Sequence, residues 1–154
     1  GPTALLLTRQ NMKVIDRTRH PSASNVEKGA YTLWQSGEGT PDLTIIATGS
    51  EVEIALDAAK QIEGKNVRVV SMPSWELFER QNKTYRDRII DPDCKRRLIV
   101  EAGSSFGWER YAGSKGAIIA LDTFGASGPF KELAKLFGFT VENVLAKANE
   151  LLAR

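Results

Sequence analysis

The apolar run Leu43-Thr44-Ile45-Ile46-Ala47-Thr48 limits the possible folds more than any other stretch of the chain. It reads as a buried strand, and Gly49-Ser50 turns the chain directly after it. Val52, Ala55, Leu56, Ala59 and Ile62 then share one helical face, so a helix is predicted over residues 51–63, stopped by Gly64. Ser50, with Glu53 three residues on, has the pattern of a capping box, in which each side chain satisfies the backbone donor beside the other. Val67 to Met72 is the next strand. Strand, helix and strand with joints this short form a right-handed parallel crossover, the repeating unit of an α/β sheet.

The remaining segments extend that unit. Tyr31 to Trp34 reads as a short edge strand before a turn at Gly37 to Thr40. Pro73-Ser74 ends the strand that starts at Val67, and Trp75, Phe78, Tyr85, Ile89 and Ile90 follow in one or two short helices. Leu98 to Val100 and Ala117 to Leu121 are strands on either side of a glycine-rich loop at Gly103 to Gly107. Pro129 opens a helix through Phe137, and Thr140 caps a last one from Val141 to Leu152. The regular part of the chain reads βαβαβαβαα. The expected fold class is α/β, a three-layer domain with a five-stranded, mostly parallel sheet flanked by helices.

The N-terminus stands apart. Thr3 to Thr8 is a short apolar run that breaks at Arg9-Gln10-Asn11, and residues 11–25 have the polar composition of an exposed connector. A lone strand before such a connector either completes the sheet of another domain or doubles back onto this one. The first alternative gives a terminal strand of a preceding domain at residues 1–10, a linker at 11–25 and the α/β domain at 26–154.

Composition excludes several functions. At 154 residues the chain has the length of one domain, and 42% apolar with 26% charged residues is an ordinary globular balance. The net charge is only +2, with both signs interleaved, which is no nucleic-acid footprint. Lys95-Arg96-Arg97 follows Asp91 and Asp93 and reads as a solvated turn. The single cysteine, Cys94, permits no internal disulfide and no zinc cage without foreign ligands, and fits a reducing, cytoplasmic setting. Its only possible histidine partner as a nucleophile is His20. Apolar stretches such as Ala117 to Leu121 are too short to cross a bilayer.

Three glycine-bearing turns follow apolar strands, at Ala47 to Ser50, Glu101 to Ser105 and Asp122 to Ser127, where open α/β sheets bind ligands. No phosphate fingerprint occupies them, and Glu51 and Glu53 in the first helical turn oppose an anion there. Ser104 and Ser105 lack a nearby histidine and a nucleophile elbow. Glu101 and Asp122, at strand ends, serve either as loop caps or as facing acid–base carboxylates, and capping is the stronger reading. His20 reads as an exposed connector residue. Arg9 follows a buried strand, from whose end a guanidinium can hold a phosphate in two parallel hydrogen bonds.

Six segments carry a family resemblance: Leu7 to Asn11, Val26 to Tyr31, Pro41 to Val52, Val69 to Phe78, Glu101 to Trp108 and Asp122 to Pro129. In that order, across nearly the whole chain, they closely resemble the C-terminal part of transketolase. Trp75-Glu-Leu-Phe78 and Phe106-Gly-Trp108 favour transketolase over deoxyxylulose phosphate synthase and the 2-oxoacid dehydrogenase β-subunits, which share the third-domain fold. The resemblance implies a three-domain homodimeric enzyme of the pentose phosphate pathway and Calvin cycle. Such an enzyme moves a two-carbon ketol unit from a ketose phosphate to an aldose phosphate. Thiamine diphosphate and a divalent cation, Mg or Ca, are held by the N-terminal and middle domains, so this chain is expected to bind neither, to carry no catalytic residue and to be inactive alone. Packing, dimer contact or regulation is then its role. The family's phosphate-gripping arginine matches Arg9, with Thr8 where serine is usual, while the connector from Met12 lacks the family's common Leu-Pro pair. The competing expectation is a stand-alone module binding a small anion or a nucleotide in the Gly103 to Gly107 loop.

Overall fold

A computed structural model describes Ala4, Thr8 and residues 10–154. The predicted strand at Thr3 to Thr8 and the candidate Arg9 lie outside the described residues. From residue 11 to 22 the chain runs as a strap without helix or strand, turning at residues 16–20 where the Arg19 and His20 N–H groups bond to Asp16 O, then enters a short 3-10 helix, Ala23–Lys28, whose N-cap Ser22 hydroxyl accepts from the Ser24 N–H.

The elements that follow are β1 (Tyr31–Gln35), β2 (Leu43–Ala47), α1 (Glu51–Ala59), β3 (Val67–Ser71), α2 (Trp75–Glu79), α3 (Lys83–Ile89), β4 (Arg97–Val100), α4 (Glu109–Ala112), β5 (Ala117–Ile119), α5 (Phe130–Phe137) and α6 (Val141–Leu152). The five strands form one sheet in the order β1-β3-β2-β4-β5. β2 pairs in parallel with both β3 and β4, β4 pairs in parallel with β5, and β1 is the antiparallel edge, with an irregularity between Thr32 and Trp34. The α/β class and the mostly parallel five-stranded sheet are as expected.

Period-two alternation sorts the strand residues onto two faces. Ile45, Val69, Leu98 and Val100 pack under α1 and α6, while Ile46, Val70 and Ile99 pack under α2, α3 and α4, giving three layers. The second face holds a cluster of rings: Trp75 and Trp108 meet edge to face at 4.8 Å, and Tyr111 touches both. The Tyr111 hydroxyl donates to Glu79 Oε1 at 2.8 Å, and burial, then that carboxylate, pushes its pKa up to about 12.

Several local expectations change. α1 ends at Ala59, and residues 60–62 continue as tight turns, Gln61 N–H bonding to Ala58 O and Ile62 N–H to Ala59 O. The capping box does not form: Ser50 is itself helical and its hydroxyl donates to Glu51 Oε1 at 2.6 Å. Glu53 is drawn instead to Lys13, on the strap. Helix α4 fills the place between the last two strands that the expected order gives to a helix, although its four residues show no periodicity that would locate it. Lys95-Arg96-Arg97 is no solvated turn throughout: Arg97 opens β4 and donates to the carbonyls of Asp91, Cys94 and Tyr111, and Arg96 donates to Leu151 O. Thr140 caps α6 as expected, accepting from Asn143 N–H at 3.2 Å. Among the described residues no helix is long and apolar enough to cross a membrane.

Candidate functional site

The strand order reverses between β2 and β4, because β2 leads through α1 to β3 on one side and the chain returns to β4 on the other. Ligands of open α/β sheets bind in the crevice beyond the carboxyl ends of such strands. Thr48 to Glu51 and Glu101 to Gly103 form this crevice, and Asp122 follows β5 beside it.

Four backbone donors of the glycine-rich loop beside it are already satisfied from within. Gly103 N–H donates to Glu101 Oε1 at 2.8 Å, Ser105 N–H to Asp122 Oδ1 at 2.8 Å, Phe106 N–H to Ser104 Oγ at 3.2 Å and Gly107 N–H to Glu109 Oε2 at 2.8 Å. A phosphate-cradling loop points such N–H groups at its ligand. Here carboxylates and a hydroxyl occupy them, so the loop offers no anion cradle, and the stand-alone anion or nucleotide module finds no support. Glu101 and Asp122 cap loop backbones, the bland alternative of the two.

Electrostatics agree. Burial raises the Glu101 pKa above the usual carboxylate value, the Gly103 hydrogen bond opposes this, and nearby Glu51, itself buried, adds to it. The Ser105 N–H and hydroxyl hold Asp122 below its usual value, helped by Ser104. A folded-state pKa above the unfolded one means that Glu101 contributes its full stability below the unfolded value and loses it as pH rises through the folded one. Glu101→Gln is therefore expected to melt at or above the wild-type temperature at pH 8, with the difference closing by pH 4. A variant equally destabilised at both pH values in thermal melts would show that the Gly103 hydrogen bond, and not the charge, governs this position.

The other candidates take structural places. Ser104 Oγ donates to Asp122 at 3.2 Å, far from any imidazole. His20 Nδ1 lies 3.3 Å from Leu33 O, holding the strap to β1. Cys94 is buried, 3.4 Å from Thr44 Oγ1 and 3.3 Å from Arg96 O, away from His20. Among the described residues no group of three or more His, Cys, Asp or Glu side chains is placed to hold a metal ion. With the loop donors occupied as well, these residues do not fit a diphosphate cofactor or its cation.

What the sequence did not mark is the strap's attachment. Lys13 Nζ lies 3.2 Å from Asp57 Oδ2 and 3.3 Å from Glu53 Oε1, and its N–H donates to Glu53 Oε2 at 3.3 Å. These hydrogen bonds, Asp57 before Glu53, raise the Lys13 pKa. The only available signal was the pair of acids, Glu53 and Asp57, four residues apart on one face of α1. Between strap and helix lies a cleft of about 820 Å³, lined by Met12, Ile15, Trp34, Val52 and Leu56 among others.

Residues 29–140 match the family model described as the transketolase-like C-terminal domain. The chain belongs to the transketolase family. Transketolase of Geobacillus stearothermophilus is 44% identical over 155 residues, covering 99% of this chain and 23% of that protein. Transketolase of Aquifex aeolicus is 47% identical over 152 residues, covering 97% and 22%. The chain thus spans less than a quarter of the length of these curated relatives. Among solved transketolase structures, that from Leishmania mexicana superimposes with a TM-score of 0.79 at 43% identity over 88% of this chain and 19% of its own. One from Pichia stipitis, in complex with sedoheptulose 7-phosphate, gives 0.77 at 38% over 87% and 19%.

Proposed function

We propose that this chain is the third domain of a transketolase and acts as part of a longer polypeptide. The observation that carries the reading is the 44% identity over 99% of the chain to a protein of which it makes up only 23%. In this reading residues 1–10 end the preceding domain, 11–25 link and 26–154 form the third domain. The N-terminal and middle domains hold thiamine diphosphate and a divalent cation, and the whole transfers a two-carbon ketol unit between sugar phosphates in the pentose phosphate pathway, as a cytoplasmic homodimer. Arg9 grips the sugar phosphate, a role in keeping with the sugar phosphate in the Pichia stipitis complex. Exposed rings at Phe106 and Phe124, 85% and 99% accessible, fit a surface that packs against further polypeptide.

The test has two arms. Calorimetric titration of the isolated chain with thiamine diphosphate and magnesium is expected to show no binding. In the longer enzyme, Arg9→Ala is expected to raise KM for the aldose phosphate by about tenfold or more, the weight of a lost hydrogen bond to a charged group. Micromolar cofactor binding by the chain alone, or an unchanged KM in the variant, overturns the proposal.

A further inference from the structure

Trp108, the N-cap of α4, is only 3% exposed and packs with Ile46, Val70 and Ile99, yet among the described residues its indole N–H makes no hydrogen bond. No side-chain nitrogen or oxygen sealed from solvent lacks a partner there, so this N–H opens outward. It reaches a depression of about 280 Å³ at the carboxyl ends of β2, β3 and β4, lined by Trp108 with Thr48, Trp75, Glu76 and Glu101 among others. Open α/β sheets take their ligands at such strand ends, and an unpaired donor in a largely buried side chain calls for an acceptor. Gly107, with φ at 87°, shapes the wall: a β-carbon there would lie 2.9 Å from the Trp75 ring, so glycine lets the loop rest on that indole while Trp108 meets it edge to face.

The other groups facing the depression select the ligand. Glu101 gives one carboxylate oxygen to Gly103 N–H, and its second oxygen, like the Thr48 hydroxyl, has no partner among the described residues. Glu76 adds another carboxylate, whose Oε2 accepts from the Ser74 hydroxyl at 3.2 Å, and no lysine, arginine or histidine is in the lining. An anion would face two carboxylates. An ammonium carries donors alone and has nothing to offer the indole N–H. A hydroxyl accepts and donates at one oxygen, and a depression just under the usual lower size of about 300 Å³ admits a small molecule. We propose that it binds a small neutral polyol, one hydroxyl accepting from the Trp108 indole and donating to Glu101, with Thr48 serving a neighbouring hydroxyl.

The experiment follows the indole N–H resonances of Trp34, Trp75 and Trp108 in the isotope-labelled chain at pH 8 while erythritol, inorganic phosphate or ethylammonium is added. Erythritol is expected to shift the Trp108 resonance saturably at millimolar concentration, the range open to so few contacts, and to leave Trp34, on β1, in place. Phosphate and ethylammonium move neither. Glu101→Gln, a variant expected to keep its fold, weakens binding about fivefold, the difference between a charged and a neutral acceptor, and Thr48→Val weakens it by a similar factor. A Trp108 shift that fails to saturate, or that Trp34 shares, marks a bulk-solvent effect and overturns the proposal. So does a response to phosphate or ethylammonium as large as that to erythritol, or erythritol binding that both variants leave unchanged.

Discussion

Gly29→Ala is expected to destabilise the domain by about 3 kcal/mol or more, combining a left-handed backbone penalty with overpacking. Gly29 ends the 3-10 helix with φ at 81°, a conformation that L side chains rarely adopt. A β-carbon there would lie 2.2 Å from Phe78 N and 2.4 Å from Ser74 O, backbone atoms of the fourth residue of α2 and of its N-cap. Neither can move freely. Ser74 N–H donates to Gly29 O at 3.0 Å, the Ser74 hydroxyl caps α2 through Leu77 N–H, and Phe78 is buried in the core against Tyr111. Gly39→Ala supplies the control. Its φ is 73°, yet an added β-carbon meets nothing within 4 Å, so only the backbone penalty of about 1–2 kcal/mol applies. Urea denaturation of the two variants compares them directly through their midpoints at constant slope. Equal midpoints would show that α2 yields to the added methyl.

Arg68→Met is expected to cost about 3 kcal/mol, the scale of losing hydrogen bonds from a charged group and leaving buried acceptors without a donor. Arg68 sits mid-strand in β3 and is only 8% exposed. Its guanidinium donates to Gln35 Oε1 at 2.7 Å, Arg88 O at 2.9 Å, Ile89 O at 3.2 Å and Gly39 O at 3.5 Å, joining the β1 edge, the end of α3 and the loop before β2. Burial draws its pKa below the ordinary arginine value, and Asp91 opposes that. Methionine fills the same volume but leaves the carbonyls of Arg88 and Ile89 without this donor. Arg68→Lys recovers less than half of the loss, because a single ammonium cannot span partners set around a planar fork. Urea midpoints again decide, and a methionine variant as stable as wild type would show that those carbonyls find other donors.

Which features the sequence displays follows from how local their causes are. β2 is visible because all five of its residues are buried, leaving a run in which Thr44 is the one polar side chain. α6 is visible because Thr140 caps it from one residue away. The Ser50–Glu53 box is misread because Glu53 answers to Lys13, forty residues upstream, and no local pattern carries that distance. Arg68 interrupts β3 and looks like an outward-facing charge, yet its partners at residues 35, 39, 88 and 89 make it an interior one. For the crevice, the sequence indicates which loops gather at the strand ends. Whether those loops can receive an anion depends on where each N–H points, and only the hydrogen bonds reveal that Glu101, Asp122, Ser104 and Glu109 occupy them. Arg9 is singled out by family resemblance, since its position after an apolar run is equally that of an ordinary strand end.

The neighbourhood of β1 and β3 imposes a timetable on synthesis. A ribosome releases Tyr31–Gln35 well before Val67–Ser71, its only partner in the sheet among the described residues, so the nascent edge strand must wait for the β2-α1-β3 crossover to close. The strap upstream, through Lys13, then docks onto a helix that is translated later than itself. Maturation of this domain therefore proceeds from the β2-α1-β3 unit outward, and the strap, translated before β1, is among the last of its parts to reach its native place.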